Sequence, residues 1–530
     1  MTAAGVRTTS EREGVSTVRR LTAAARAEVR AAWRYGVVAL AAVLAVLWSV
    51  MLFVLPSEGG QRLLPLLLVM DTAGFGALIA VGLMLFERVE RVDVVRAMTP
   101  LRPWETVAAR VAVLTALAVV MAVPMTLVAG VPLNLGAVAA VVGGVAMTSV
   151  LLIGTCLALG GGAATLPAAF LRIAPGVVLL IVVPALHLTG VVRTPLLYLV
   201  PSTAGAELVR VGTAEGASMD AWALAALVWG VAGMVAACAW AARGMVPSVD
   251  APLGRPRSVT RRVPGGSSGS GRTGPGAATA PGRTRSRSPL VSFLRFDLMA
   301  GRRDALILLV LFAPAFLALL IRVAYPRVSA FVRDSYGFDL ASAGPAVFAA
   351  LVLLHVPMIV GSVIALRFME DVDDRALLVL RASPLPLRGY IAYRSGAAAL
   401  LTLVGLAVAV PLSGLAPPMS VELVAAVVVA AAAASLFVLA VTAMSANKVE
   451  ALVVIKGVSA VSVLLPILAW ALPAPLTWVV LVAPPGWALM TLPGLPISGL
   501  SPVAAVLGGL VWTAVLCVVA ARRTEARQER

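Results

Sequence analysis

Two short charged runs carry the chemistry that this sequence can offer, and the second repeats the first. Glu87, Glu90 and Arg91 recur 284 residues further on as Asp371, Asp374 and Arg375. At the same shift Thr99-Pro100-Leu101 falls on Ser383-Pro384-Leu385, and Arg110 falls on Arg394. Residues at i, i+3 and i+4 share one helical face, so each acid-acid-base set forms a charged stripe. Glu87–Arg91 and Asp371–Arg375 have the spacing of an acid-to-base i,i+4 pair. A hydroxyl residue followed by proline is a good helix start, with Thr99 or Ser383 as N-cap and Pro100 or Pro384 at the first helical position. The residue before proline disfavours helix, so the preceding helix ends there. Each run is expected to be an elbow: a helix end, a break and a short second helix. Such an elbow suits docking of a soluble partner. The plainer alternative is a solvated loop whose arginines snorkel.

Asp71 and His355 are exchanged by the same shift, each about 24 Å along a helix from its elbow acid. Apolar residues continue past both, through Leu63–Met70 and Ala346–Leu354. Both are therefore expected in the outer part of the hydrocarbon layer. Ionisable groups there are costly and face a protein interior or a cavity. If the halves pack about a pseudo-twofold axis, Asp71 and His355 approach each other, and a carboxylate favours the charged imidazole. They are candidates for a cavity or gate; a structural hydrogen bond, or an Asp held at the headgroups, is the other reading. No Ser-His-Asp order, H-E-x-x-H or carboxylate pair points to catalysis. No G-x-x-x-x-G-K-[ST] phosphate loop is present, and Gly160–Gly162 lack the lysine.

The elements that must position these residues are apolar helices. The chain has 530 residues, is 60% hydrophobic and has a mean hydropathy of +0.99. A spanning helix needs roughly 20 apolar residues. Twelve candidates follow, near 36–55, 65–86, 109–130, 136–160, 168–188 and 221–243, then 304–323, 345–368, 393–415, 420–445, 452–472 and 500–521. The stretches 191–215 and 473–499 are apolar but broken by Pro and Gly, and are expected as short re-entrant or interfacial helices. Residues 249–289 are rich in Gly, Ser, Pro and Arg and form a flexible linker. It separates a first six-span half, 1–248, from a second, 290–530. The expected fold is all-α and integral to the membrane, as two parallel six-helix repeats. Each half opens on a basic segment, Val15–Arg34 and Pro289–Arg303. In the first, Val18, Leu21, Ala25 and Val29 recur at helical spacing between Arg19, Arg26 and Arg30, as in an interfacial amphipathic helix.

The formal charge is +17. Nucleic acid is a poor explanation, because the arginines crowd the N-terminal segment, both elbows, the linker and the tail, while the opposite loops hold few. Positive residues stay cytoplasmic, which places the termini, elbows and linker on the inner side of a plasma membrane, facing anionic headgroups. Cys156, Cys238 and Cys517 fall within spans and read as small packing residues. The polar, Arg-rich start does not resemble a cleaved signal peptide. No metal-ligand spacing appears.

The run LMLFERVERVDVVRAMTPLRPWETVAAR (83–110) resembles the first cytoplasmic loop of type-2 ATP-binding-cassette (ABC) export permeases. The run LLHVPMIVGSVIALRFMEDVDDRALLVLRASPLPLRGYIAYR (353–394) resembles that loop more closely still. Both are similar to the fluoroquinolone-export group of bacterial permeases, here joined in one chain. The resemblance implies that each elbow is a coupling helix resting on an ATPase, matched at Glu87, Glu90, Arg91, Thr99 and Pro100, and at Asp371, Asp374, Arg375, Ser383 and Pro384. Arg102-Pro103 against Pro386-Leu387, and Trp104 against Arg388, depart from identity between the elbows. It implies a permease without enzymatic activity of its own, two copies of a separate ATPase that bring ATP and Mg, and export of amphiphilic, antibiotic-like small molecules by alternating access. Lipid or lipid-linked glycan export, and ion-coupled secondary transport, are the alternatives.

Overall fold

A computed structural model describes residues 16–244, 305–373, 377, 386–492 and 501–528, apart from 56, 91, 133, 164–165, 193, 215–217, 338 and 474. Helices and turns account for them, with no strand among the described residues. Twelve helices are long and apolar enough to cross a membrane, so the chain is an all-α integral membrane protein. The first half holds α1 (Thr17–Arg34), α2 (Val37–Val54), α3 (Ser57–Leu67), α4 (Phe75–Val89), α5 (Val92–Ala97), α6 (Pro103–Val128), α7 (Leu135–Gly160), α8 (Leu166–Thr189), α9 (Ser202–Thr213) and α10 (Ala221–Gly244). The second holds α11 (Ala305–Tyr336), α12 (Gly344–Phe348), α13 (His355–Asp373), α14 (Leu387–Ser413), α15 (Val421–Met444), α16 (Lys448–Ala471), α17 (Pro484–Met490) and α18 (Pro502–Gln528). The linker 249–289 and the segment Pro289–Arg303 lie outside the described residues.

The packing repeats as the sequence does. In the first half α7 sits centrally, against α4, α6, α9 and α10, and α2 lies on α6. In the second, α15 takes the same place against α13, α14, α17 and α18, and α11 lies on α14. The broken stretches form a one-turn 3-10 helix and a short α-helix in each half: Pro195–Leu199 then α9, and Thr477–Val482 then α17. Close approach in the first half depends on glycine. A Cβ on Gly144 would stand 2.5 Å from the Gly205 carbonyl oxygen, and one on Gly212 would stand 2.7 Å from that of Ala137. Small residues let helix backbones meet this closely in lipid.

The helix leading into each elbow holds one π turn, Leu68–Thr72 before α4 and Ala349–Leu353 before α13. These turns sit at or just before the matched residues Asp71 and His355. A π turn inserts a residue into the helix, rotates the side chains beyond it, and is frequent at functional sites.

α1 has three faces. Arg20, Ala24, Glu28 and Ala32 are buried against α6. Val18, Val29 and Trp33 are exposed at 70, 50 and 74%. Arg19, Arg26, Arg30 and Arg34 are exposed on the third face. The expected apolar stripe therefore does not pack on the protein; the packed face is the charged one, for a reason seen at the elbow.

Candidate functional site

The elbows are pinned from within. Glu87 ends the first intramembrane helix pair and receives both guanidinium nitrogens of Arg96, at 2.9 and 3.2 Å. Arg110, from α6, also donates to Glu87. Arg110 in turn grips Glu28 of α1 through Nη2 at 2.8 Å and Nε at 3.1 Å. Arg20 reaches Glu105 of α6 at 2.9 to 3.2 Å. Two-pronged arginine-carboxylate pairs are the strongest protein ion pairs, and here they explain why α1 buries its charged face.

Among the described residues the second elbow repeats the buried arginine and adds a tyrosine. Arg394 donates to Asp371 at 2.7 Å, and Tyr390 also donates to Asp371. The Tyr390 hydroxyl accepts from Arg394 Nε at 3.0 Å. The expected i,i+4 partner of Glu87 was Arg91; its observed partners are Arg96 and Arg110. Among the described residues Asp371 takes Arg394 of α14. Both distant arginines are buried on the adjoining spans, where an unpaired charge costs more than on a loop. Arg91, Asp374, Arg375, Ser383 and Pro384 lie outside the described residues.

The first elbow begins its second long helix later than the sequence suggested. The N-cap is Arg102 and Pro103 is the first helical residue. Thr99 is exposed and its hydroxyl donates to the Arg96 carbonyl at 2.7 Å. The Glu105 carboxylate accepts from the Arg102 backbone N–H at 2.9 Å, which fixes the start of α6. Glu90, Thr99 and Pro100 are exposed, and so are Val95 and Met98, at 58 and 78%. The elbow thus shows a mixed apolar and acidic surface that the described residues do not cover.

Asp71 finds a base from the other half, but it is Lys456 of α16, at 2.6 Å. Trp48 of α2 donates to the other carboxylate oxygen at 2.7 Å. The expected approach to His355 is not what forms: His355 has no hydrogen bond or ion pair among the described residues. Lys448, at the start of α16, faces Glu370 and Asp373 of the second elbow at 3.6 and 3.9 Å. Lys456 is therefore about 12 Å along α16 from the elbow, and the pair sits nearer mid-membrane than the count from Glu87 suggested. Lysine is scarce in this chain, and a lysine inside an apolar span was the signal that could have named Asp71's partner.

α16 bridges the two halves. Val449, Val453, Ala460 and Leu464 join the core of the first half, and Ala451, Leu465 and Ala469 that of the second. The Asp71–Lys456 pair stands in this seam with side chains 22 and 25% exposed, neither sealed nor freely hydrated. Intramembrane charges of this kind are functional sites by default.

A third cluster marks the far end of the first half, beyond sequence reasoning. Glu207 of α9 accepts from Arg210 at 2.6 and 2.8 Å and lies 2.8 Å from His187 Nε2 of α8. His187 is half-buried against Glu207 and Tyr198. Burial pushes the Glu207 carboxyl up, but hydrogen bonds from Arg210 and His187 outweigh it and hold the group at about 2, below the usual 4.5. A lowered carboxylate stabilises the fold above its unfolded value and loses that contribution as pH falls towards the folded one. Glu207→Gln is expected to cost on the order of 3 kcal/mol at neutral pH. Thermal unfolding of the purified variant should approach that of the parent as pH drops below 4.5 towards 2; a gap independent of pH would contradict the ion pair's role.

Relatives agree with this architecture. The profile described as "Fluoroquinolones export permease protein family" matches residues 19–248. The profile "Fluoroquinolones export permease protein Rv2686c-like" matches residues 297–521. Two proteins of Mycobacterium tuberculosis are similar: Fluoroquinolones export permease protein MT2760 of strain CDC 1551, and Fluoroquinolones export permease protein Rv2686c of strain H37Rv. Each is 27% identical over 200 residues, which is 38% of this chain and 79% of the relative. With one such match on either side of the linker, the chain belongs to the fluoroquinolones export permease families and is a multi-pass membrane protein of the ABC antibiotic-export type.

Proposed function

We propose that this chain is the complete membrane part of an ATP-driven exporter, with both permease halves in one polypeptide. The observation that carries the reading is the pair of elbows, each locked to its neighbouring span by a buried arginine (Arg110, Arg394). A push on an elbow so pinned tilts a span and does not bend a loop. Two copies of a cytoplasmic ATPase dock there, one per elbow, and bring ATP and Mg. In the first elbow Glu90, Val95, Met98, Thr99 and Pro100 form the contact. Glu87 and Asp371 hold the elbows' shape and do not touch the partner. Closure of the ATPases tilts the halves about the α16 seam, and Asp71–Lys456 makes and breaks as access alternates. The chain lies in the bacterial plasma membrane with both termini cytoplasmic, as its arginine distribution supports. The cargo is an amphiphilic small molecule of fluoroquinolone kind, in keeping with the relatives' names.

The test uses inside-out vesicles carrying the chain and its ATPase. Accumulation of a fluoroquinolone is expected on adding ATP and Mg, and not on imposing a proton gradient alone. Uptake driven by the gradient without ATP would support the secondary transporter instead. ATP-driven movement of a lipid but not of the drug would keep the mechanism and change the cargo.

A further inference from the structure

The seam closed by Asp71 and Lys456 has a counterpart that cannot close in the same way. At the shift relating the two elbows, Asp71 falls on His355 and Lys456 falls on Arg172. By the repeat, where the observed interface carries an acid and a base, the matching positions on the other side of the halves carry two bases. The packing differs accordingly. α16 enters the core of the first half through Val449, Val453, Ala460 and Leu464. Its counterpart α8 packs on α7 and α9, and contributes no residue to the second core among those described. The spanning part of α2, beside the closed seam, is 50% buried, while that of its counterpart α11 is 11% buried. Arg172 is exposed and His355 half-buried, and neither has a hydrogen bond or ion pair among the described residues.

Two bases in a medium of low dielectric do not draw their helices together, whereas an anion placed between them does. We propose that the missing acid is brought by the cargo: the carboxylate of an amphiphile binds between Arg172 and His355, and its arrival lets the second interface close as Asp71 closes the first. Arg172 offers a two-pronged fork to the carboxylate, and His355 offers a ring N–H. The apolar body of the ligand lies against the bare faces of the flanking helices, at Leu171 and Val178 on α8 and at Phe312 and Phe316 on α11, all more than half exposed. The inference rests on the export reading and narrows its substrate class to carboxylate-bearing amphiphiles.

The test compares a fluoroquinolone, which carries a ring carboxylate, with its carboxyl methyl ester. Binding of each to the purified full chain is measured by equilibrium dialysis. The parent chain is expected to bind the acid about tenfold or more tightly than the ester, the scale of a hydrogen-bonded charge. Arg172→Met should bring the ratio close to one while leaving ester binding unchanged. Arg172→Lys should keep part of the preference, which separates charge recognition from misfolding. His355→Asp installs the acid within the chain and should exclude the carboxylate while sparing the ester. Equal binding of acid and ester by the parent, or an undiminished preference in Arg172→Met, would overturn the inference. Carboxylate preference in a chain that shows no ATP-driven uptake in vesicles would overturn the export reading and leave the binding site standing.

Discussion

Arg110→Met is expected to destabilise the chain by about 3–5 kcal/mol, the scale for breaking a buried ion pair from one side. The side chain is 1% exposed and serves Glu28 and Glu87 together. Its loss leaves Glu28 buried without this base and Glu87 with Arg96 alone, so α1 is held to α6 by Arg20–Glu105 only and the first elbow loses its anchor to α6. The effect should appear as an earlier thermal transition of the detergent-solubilised chain. Arg110→Lys should recover part of it, since lysine supplies charge but no planar fork. Combining Arg110→Met with Glu28→Gln should recover part of the loss, because Glu28 then needs no base and Glu87 keeps Arg96. Arg394→Met should cost less than Arg110→Met: Asp371 is 28% exposed and keeps the Tyr390 hydroxyl, so water and the phenol take up part of the unpaired charge. Equal and small losses at both sites would mean that the arginines merely decorate the elbows.

Lys456→Met should loosen the halves at the α16 seam. Asp71 would keep the Trp48 indole but lose its counter-ion within the membrane. Asp71→Asn should act in the same direction. The double variant Asp71→Asn with Lys456→Met removes both charges and should be more stable than either single variant, with a coupling of about 1–3 kcal/mol in a double-mutant cycle. Transport discriminates further. If the pair opens and closes during the cycle, the double variant folds well yet exports at least tenfold more slowly, since a neutral seam lacks a polar contact to exchange. A double variant with full export would assign the pair to stability alone.

Much of this arrangement was readable before any coordinates. Twelve spans, the broken stretches after the fifth span of each half, and the repeat of the elbows follow from hydropathy and from one constant shift, because spanning length and backbone satisfaction in lipid leave few choices. The partners of the charged residues were not. Glu87 has a base within i,i+4 reach at Arg91, which lies outside the described residues; local spacing alone did not point to Arg96 or to Arg110 on the next span. The Arg110–Arg394 correspondence was in the sequence, and reading it beside Glu87–Asp371 would have named both ion pairs, each separated by the same interval. Asp71 is a harder case. Symmetry argued for His355, whereas the chain uses Lys456, because in this arrangement of the halves it is the fifth span of the second half that meets the second span of the first. α1 was read in part: Val18 and Val29 of its apolar stripe are bare, as in an interfacial helix, while the buried face with Arg20 and Glu28 was not foreseen. Periodicity locates a helix but does not say which face is packed when buried ion pairs are available.

On the proposed function, two ATPases act on this chain through its two elbows. The most direct measurement is native mass spectrometry of the chain purified with its ATPase partner from the host membrane. Two ATPase copies per chain are expected. Charge reversal at Glu90 should leave one copy, and adding the same change at Asp374 should leave none, with the permease itself still folded. A chain that travels alone, or an ATPase content that ignores both elbows, would contradict the account.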